Sequence, residues 1–182
     1  MRRQPGENVG RLSLPDLDGA IFDLDRLRGR RFMLSFFRFA ACPFCNLRVH
    51  ELTTRFGEFG GQFTVVAVFD SSLDNLQRHA GRHRAPFPIL ADEANVHYRA
   101  FAIERSVMGM LKAALLRFPD VLRAVLVEGY LPTSIQGHPA TLPADFLVDE
   151  QGVIRQAYYG KDIGDHLPFE AVRAFARGEA RP

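Results

Sequence analysis

"FRFAACPFCNLRVHEL", residues 37–52, holds both cysteines of the chain, Cys42 and Cys45, two residues apart. The run before it, "RFMLSFFRF" (31–39), is almost continuously apolar and of strand length, the mark of a central buried strand. After it, Cys45, Val49, Leu52, Phe56 and Phe59 recur at steps of four and three, which predicts an amphipathic helix. Cys42 therefore stands between a buried strand and a helix. Pro43 falls in the first helical turn, where its missing N–H costs nothing. Free N–H groups and the positive end of the helix dipole converge at such a tip, and they favour thiolate over thiol. Cys45 is one turn on, within disulfide reach, and begins the apolar stripe. This predicts that Cys42 attacks and Cys45, the more buried thiol, resolves the intermediate as an internal disulfide.

Strand and helix patterns alternate outward from this point. "LSLPDLDGAIFDLDRLRGR" reads as two short extended pieces around the Asp18-Gly19 turn, preceded by a polar arm over residues 1–10 expected to be loose. "QFTVVAVFD" (62–70) is a second buried strand, and Ser71-Ser72 can cap a helix to about Gly81. "FPILAD" predicts a short strand, then a helical stretch around Val96, Ala100 and Ile103. "ADFLVDEQGVIRQAYYG" (144–160) predicts a hairpin turning at Glu150-Gln151-Gly152, and a last helix spans roughly 168–177. The order β, α, β, α, β, hairpin, α predicts an α/β domain with a mixed central sheet covered on both faces. Residues 104–136 break the alternation. Two short apolar helical patterns, interrupted at Pro119-Asp120, read as a helical insertion that packs on the core, covers an apolar site or forms a homodimer contact. The expectation is one domain over 1–182, with the insertion placed over the Cys42 region or at a subunit contact there.

At 182 residues with net charge +2, the chain is long enough for one sizeable core, and its charge gives no argument for nucleic acid. All but two of the basic residues are Arg, the exceptions being Lys112 and Lys161. The basic start lacks a following apolar stretch, which argues against a secretory signal, and no run is long enough to span a bilayer. The expected compartment is the reducing cytoplasm, where two close thiols read as a redox pair or part of a metal site rather than a structural staple. A zinc site needs two further ligands, and none of the six histidines has paired ligand spacing with the cysteines. Two inert core cysteines are the plain alternative. No cofactor or metal is expected. The second element of the site is Thr141-Leu142-Pro143, ahead of the strand "ADFLV". Arg38 and Arg48 read as solvated charges, Arg38 also being a candidate support for the thiolate. His50 reads as exposed, and Asp162, Asp165 and His166 as turn and cap residues.

Strand, CxxC, helix and a later Pro before a hairpin resemble a thioredoxin fold. The wider pattern of "FFRFAACPFCNLRVHEL", "PADFLVDEQGVIRQAYYG" and "KDIGDH", over roughly residues 10–177, is similar to the peroxiredoxin-like group of the alkyl hydroperoxide reductase/thiol-specific antioxidant family. The resemblance implies a thioredoxin-like fold, a redox-active Cys42, and reduction by glutathione or a thioredoxin-like protein. By analogy it also implies a cis Leu142–Pro143 bond that bares a backbone edge beside Cys42, although base rates favour trans. The chain departs from the family at three places. Ser35 and Phe39 stand where peroxiredoxins carry Pro and Thr or Ser, and Pro143 stands where they carry Arg. Three activities are therefore open: a dithiol oxidoreductase acting on disulfides or hydroperoxides, a true thiol peroxidase, and a non-catalytic redox-sensing module.

Overall fold

Strand β3 organises the molecule, and its two faces explain why. In the computed structural model, which describes residues 1–110 and 137–179, the elements are β1 (Ser13–Pro15), β2 (Ile21–Asp23), β3 (Arg31–Phe37), α1 (Pro43–Thr54), β4 (Phe63–Phe69), α2 (Leu73–Ala80), β5 (Ile89–Ala91), α3 (Val96–Ala100), β6 (Ala144–Val148), β7 (Ile154–Tyr159) and α4 (Phe169–Ala176). The main sheet has the order β5-β4-β3-β6-β7. β3, β4 and β5 are parallel, β6 runs antiparallel to β3 and β7 antiparallel to β6, so the sheet is mixed as expected. Alternate side chains of a strand point to opposite faces. Met33 and Phe37 pack with Val49 and Leu52 of α1, Leu76 of α2, and Phe169 and Val172 of α4. Phe32, Leu34 and Phe36 pack with Leu12, Leu24, Tyr98 and Phe101 on the other side. Burial on both faces is why the strand reads as a continuous apolar run.

Several local expectations are met. β1 and β2 pair around Asp18-Gly19, Ser72 caps α2 by accepting the Asn75 N–H, and Gly152 turns the hairpin with φ +78°. Others are corrected. α1 stops at Thr54, and Phe56–Phe59 form a separate 3-10 turn that still buries Phe59. α3 is present, but Val96 is exposed and the buried side chains are Tyr98 and Phe101. The 1–10 arm is not loose. The Gly6 and Val9 N–H groups donate to the carbonyls of Ile154 and Gly152, and the Ile154 N–H donates to Glu7. A terminal strand edge offers unpaired backbone groups, and the arm satisfies those at the start of β7.

Of the expected insertion, residues 104–110 are described and residues 111–136 lie outside the described residues, and with them most of the first helical pattern and all of the second. Its base is a short antiparallel clasp. The Ser106 N–H donates to Ala140, the Leu142 N–H donates to Glu104 at 2.8 Å, and Arg105 bridges Thr141. Residues 107–110 are helical. Met110 packs against Leu142 and Ile163, the same pair that Phe44 of the CxxC turn packs against.

Candidate active site

β3 ends at Phe37, and a tight loop carries the chain to Cys42, which caps α1 with extended backbone, φ −67° and ψ 123°. Pro43 follows in the first turn, as its fixed φ favours. The Cys42 N–H closes the loop onto the Phe39 carbonyl at 3.0 Å. Both cysteines are free thiols, and Cys42 is 0% exposed.

Arg38 is the clearest correction to the sequence reading. It is 4% exposed rather than solvated. Its Nη1 donates to Cys42 Sγ at 3.4 Å, its Nη2 donates to the Pro139 carbonyl, and its backbone N–H donates to Cys45 Sγ at 3.4 Å. The guanidinium also lies over the Phe39 ring, 5.1 Å from its centroid. A buried cation beside a sulfur favours the thiolate. Burial opposes ionisation of Cys42. Against it stand the Cys45 thiol bond, the Arg38 charge and the backbone N–H groups of Cys45 and Phe44, which together bring Cys42 down to about 6. Burial pushes Cys45 up, and its bond and charge repulsion with Cys42 push it further. The two thiols thus divide into an acidic Cys42 and a protonated Cys45, although burial does not separate them as the sequence suggested: Cys42 is 0% and Cys45 1% exposed.

The expected second element is at the site but built differently. Among the described residues no peptide bond is cis, so Leu142–Pro143 is trans. The edge imagined as bare is in use: the Leu142 N–H is spent on Glu104, and the Pro143 carbonyl accepts the Gly160 N–H at 2.9 Å. Thr141 is buried, and its hydroxyl donates to Asp70 rather than reaching the sulfurs. Asp70, 1% exposed at the end of β4, also accepts the His138 N–H at 3.0 Å and an Asn95 amide at 2.7 Å. Asp70 and Arg38 together hold residues 137–141 against the Cys42 loop.

Asn46, absent from the sequence reading, is 2% exposed on α1. Its Nδ2 donates to the carbonyls of Ala40 and Cys42, each at 2.8 Å, and its Oδ1 meets His83 Nε2 at 2.8 Å. Its position, i+4 from Cys42 on the stripe face, was the available signal. Asp70 was signalled by a carboxylate ending a buried parallel strand, where α/β sheets place their sites.

His166 and Arg48 are further corrections. His166 Nδ1 lies 3.1 Å from both oxygens of Asp145, which also accepts the Ser35 hydroxyl at 2.5 Å and the Leu167 N–H at 2.7 Å. Burial alone would raise Asp145. The His166 charge and bond, then Arg48 and Ser35, outweigh it and hold the carboxyl below its ordinary value. Ser35 therefore answers Asp145 across β3 and β6, not the sulfurs. Arg48 is buried and donates to Glu51 and to the Leu167 carbonyl. Asp162 and Asp165 are turn residues as expected, accepting the N–H groups of Gly164 and Lys161. His50 is half-buried. A groove of about 560 Å³ runs along α1 from Phe44 past His50 and His166 to Phe169; neither cysteine lines it. Among the described residues, no cluster of three or more His, Cys, Asp or Glu is placed to hold a metal.

The model of the AhpC/TSA family matches residues 5–157. The chain belongs to the AhpC/TSA family. This is a peroxiredoxin-like redox family, and it makes the protein a thiol peroxidase-type oxidoreductase. A Mycobacterium tuberculosis protein named "Putative peroxiredoxin" is 24% identical over 155 residues, covering 81% of this chain and 97% of that protein. Peroxidoxin BcpB of the same species superposes with a TM-score of 0.68 at 16% identity, over 98% of this chain and 99% of that one. Peroxiredoxin Q of Xanthomonas campestris gives 0.65 at 18% identity, over 93% and 92%. These structural likenesses bear out the thioredoxin-like fold.

Proposed function

We propose that the protein reduces hydroperoxides, with Cys42 as the attacking sulfur and Cys45 as the resolving one. The Cys42 thiolate attacks the distal oxygen of ROOH and displaces the alkoxide. The O–O bond breaks, the sulfur becomes a sulfenic acid, and the departing alkoxide takes a proton to leave as ROH. The Cys45 thiol then attacks the sulfenic sulfur, forming the Cys42–Cys45 disulfide and releasing water. An external dithiol, or two glutathione molecules, restores the thiols. Arg38 supplies the cation that the family places at the position of Pro143 here, and Phe39 leaves the backbone N–H groups of Phe44 and Cys45 as the other donors. Pro43, Thr141, Leu142 and Pro143 shape and close the loop around the sulfur.

The observation that carries this reading is the enclosure of Cys42. Cys42 is fully buried and its sulfur accepts from Arg38, and the Leu142 N–H that would pair with an extended protein substrate is bonded to Glu104. A small hydroperoxide fits that setting better than a protein disulfide. Peroxide consumption with a thiol reductant, run beside insulin-disulfide reduction, tests it. Wild type should consume peroxide well and reduce insulin poorly, and Cys42→Ser should do neither. Efficient insulin reduction with negligible peroxide turnover would make the protein a disulfide reductase instead.

A further inference from the structure

An asparagine in a helix interior is a poor helix former and, when buried, costs stability unless its amide is bonded. Asn46 is both, and three bonds occupy it. Its Nδ2 points at two carbonyls, of Ala40 and of Cys42, and both can only accept. That fixes the amide orientation, because a flipped amide would set oxygen against oxygen. Oδ1 then faces His83 Nε2, which must carry the hydrogen. Burial, the Arg82 charge and His50 hold His83 down to about 4, so it is a neutral donor at neutral pH. The Cys42 carbonyl thus accepts twice, from the Asn46 side chain and from its backbone N–H at 3.0 Å. The loop that presents the sulfur is pinned at both ends, Ala40 and Cys42, from one side chain.

We propose that Asn46, oriented by His83, is a positioning residue that fixes the Cys42 sulfur against Arg38 and the α1 N-terminus. This rests on Cys42 being the reactive thiol. The 3.4 Å contact between Arg38 Nη1 and the sulfur depends on where the Ala40–Cys42 backbone lies, and Arg38 itself is anchored elsewhere, on Pro139. Without Asn46 the two carbonyls lose their partner, the loop shifts, and the sulfur leaves its cation and N–H donors. His83 contributes by holding the amide in the one orientation that donates to both carbonyls.

The test is the pH profile of Cys42 alkylation in the reduced protein, with the labelled site read by peptide mass spectrometry. Wild type should show an inflection near pH 6. Asn46→Leu, close in size but without the amide, should move it toward the free-thiol range and slow labelling at about pH 7 on the order of tenfold, with the high-pH plateau unchanged. His83→Leu should move it the same way, and His83→Gln, which keeps a neutral donor, should restore the wild-type profile. If Asn46→Leu does not fold, the two His83 variants decide, and identical profiles for them overturn the proposal. A stability loss in Asn46→Leu with an unmoved profile also overturns it and leaves Cys42 as nucleophile. A wild-type profile like that of a free thiol removes the underlying reading, and this one with it.

Discussion

At the scale of single residues, the Cys45 thiol bond and the Arg38 charge are what favour the thiolate at a buried cysteine. Desolvation works against charge on Cys42, so the Cys45 thiol bond, a cation in contact and the N–H groups at the helix tip must together win. Arg38→Met keeps much of the apolar stem and removes the cation. Its alkylation inflection should rise from near 6 toward the free-thiol range, and peroxide turnover at neutral pH should fall about tenfold or more. A stopped-flow peroxide trace and the same pH profile check both. Arg48→Met is the control. Its guanidinium bonds Glu51 and the Leu167 carbonyl rather than a sulfur, so any loss should appear in stability and leave the profile in place.

At the scale of elements, the site forms where the ends of β3, β4 and α1 meet the 137–143 segment. Gly137 shows how closely that segment is held. Its φ is +106°, and a Cβ there would lie 2.1 Å from the Asp70 carbonyl oxygen. Gly137→Ala should cost about 1–3 kcal/mol in urea unfolding and loosen the Arg38 anchor at Pro139. The strand–CxxC–helix order, the β6–β7 hairpin and the α1 stripe were legible in the sequence, because period and turn residues are local signals. Arg38 was misread because alternation beyond the end of β3 does not say what later folds over it. Here residues 137–141, about a hundred positions on, close the loop and bury the charge. The trans Pro143 was missed for a related reason: residues 104–106 take the edge that a cis bond was expected to bare. Asn46 and the Asp145–His166 pair were hidden because buried polar groups are set by partners distant in sequence, and residue type alone resembles surface chemistry.

At the scale of the whole molecule, the acidic Cys42 ties folding to pH. Its folded value, about 6, lies below the ordinary thiol value of 9.0. The reduced protein therefore gains stability as pH rises from about 6 to 9, because over that window the unfolded chain holds a proton the folded one has released. The contribution is fully present above the unfolded value and lost as pH falls through about 6. Urea unfolding under reducing conditions should show a rise on the order of a few kcal/mol between about pH 5 and 8, and Cys42→Ser should flatten it. We further propose that residues 1–182 fold as one domain, which predicts a single coincident transition by fluorescence and circular dichroism. The central claim concerns the two sulfurs acting in sequence. It is tested most directly by intact-protein mass spectrometry after one equivalent of hydroperoxide is added to the reduced chain. The account predicts that wild type loses two hydrogens as the Cys42–Cys45 disulfide forms. Cys45→Ser should instead gain one oxygen at Cys42, and Cys42→Ser should stay unchanged. Oxidation of Cys42→Ser at Cys45 at the wild-type rate, or a wild type that peroxide leaves untouched, would contradict it.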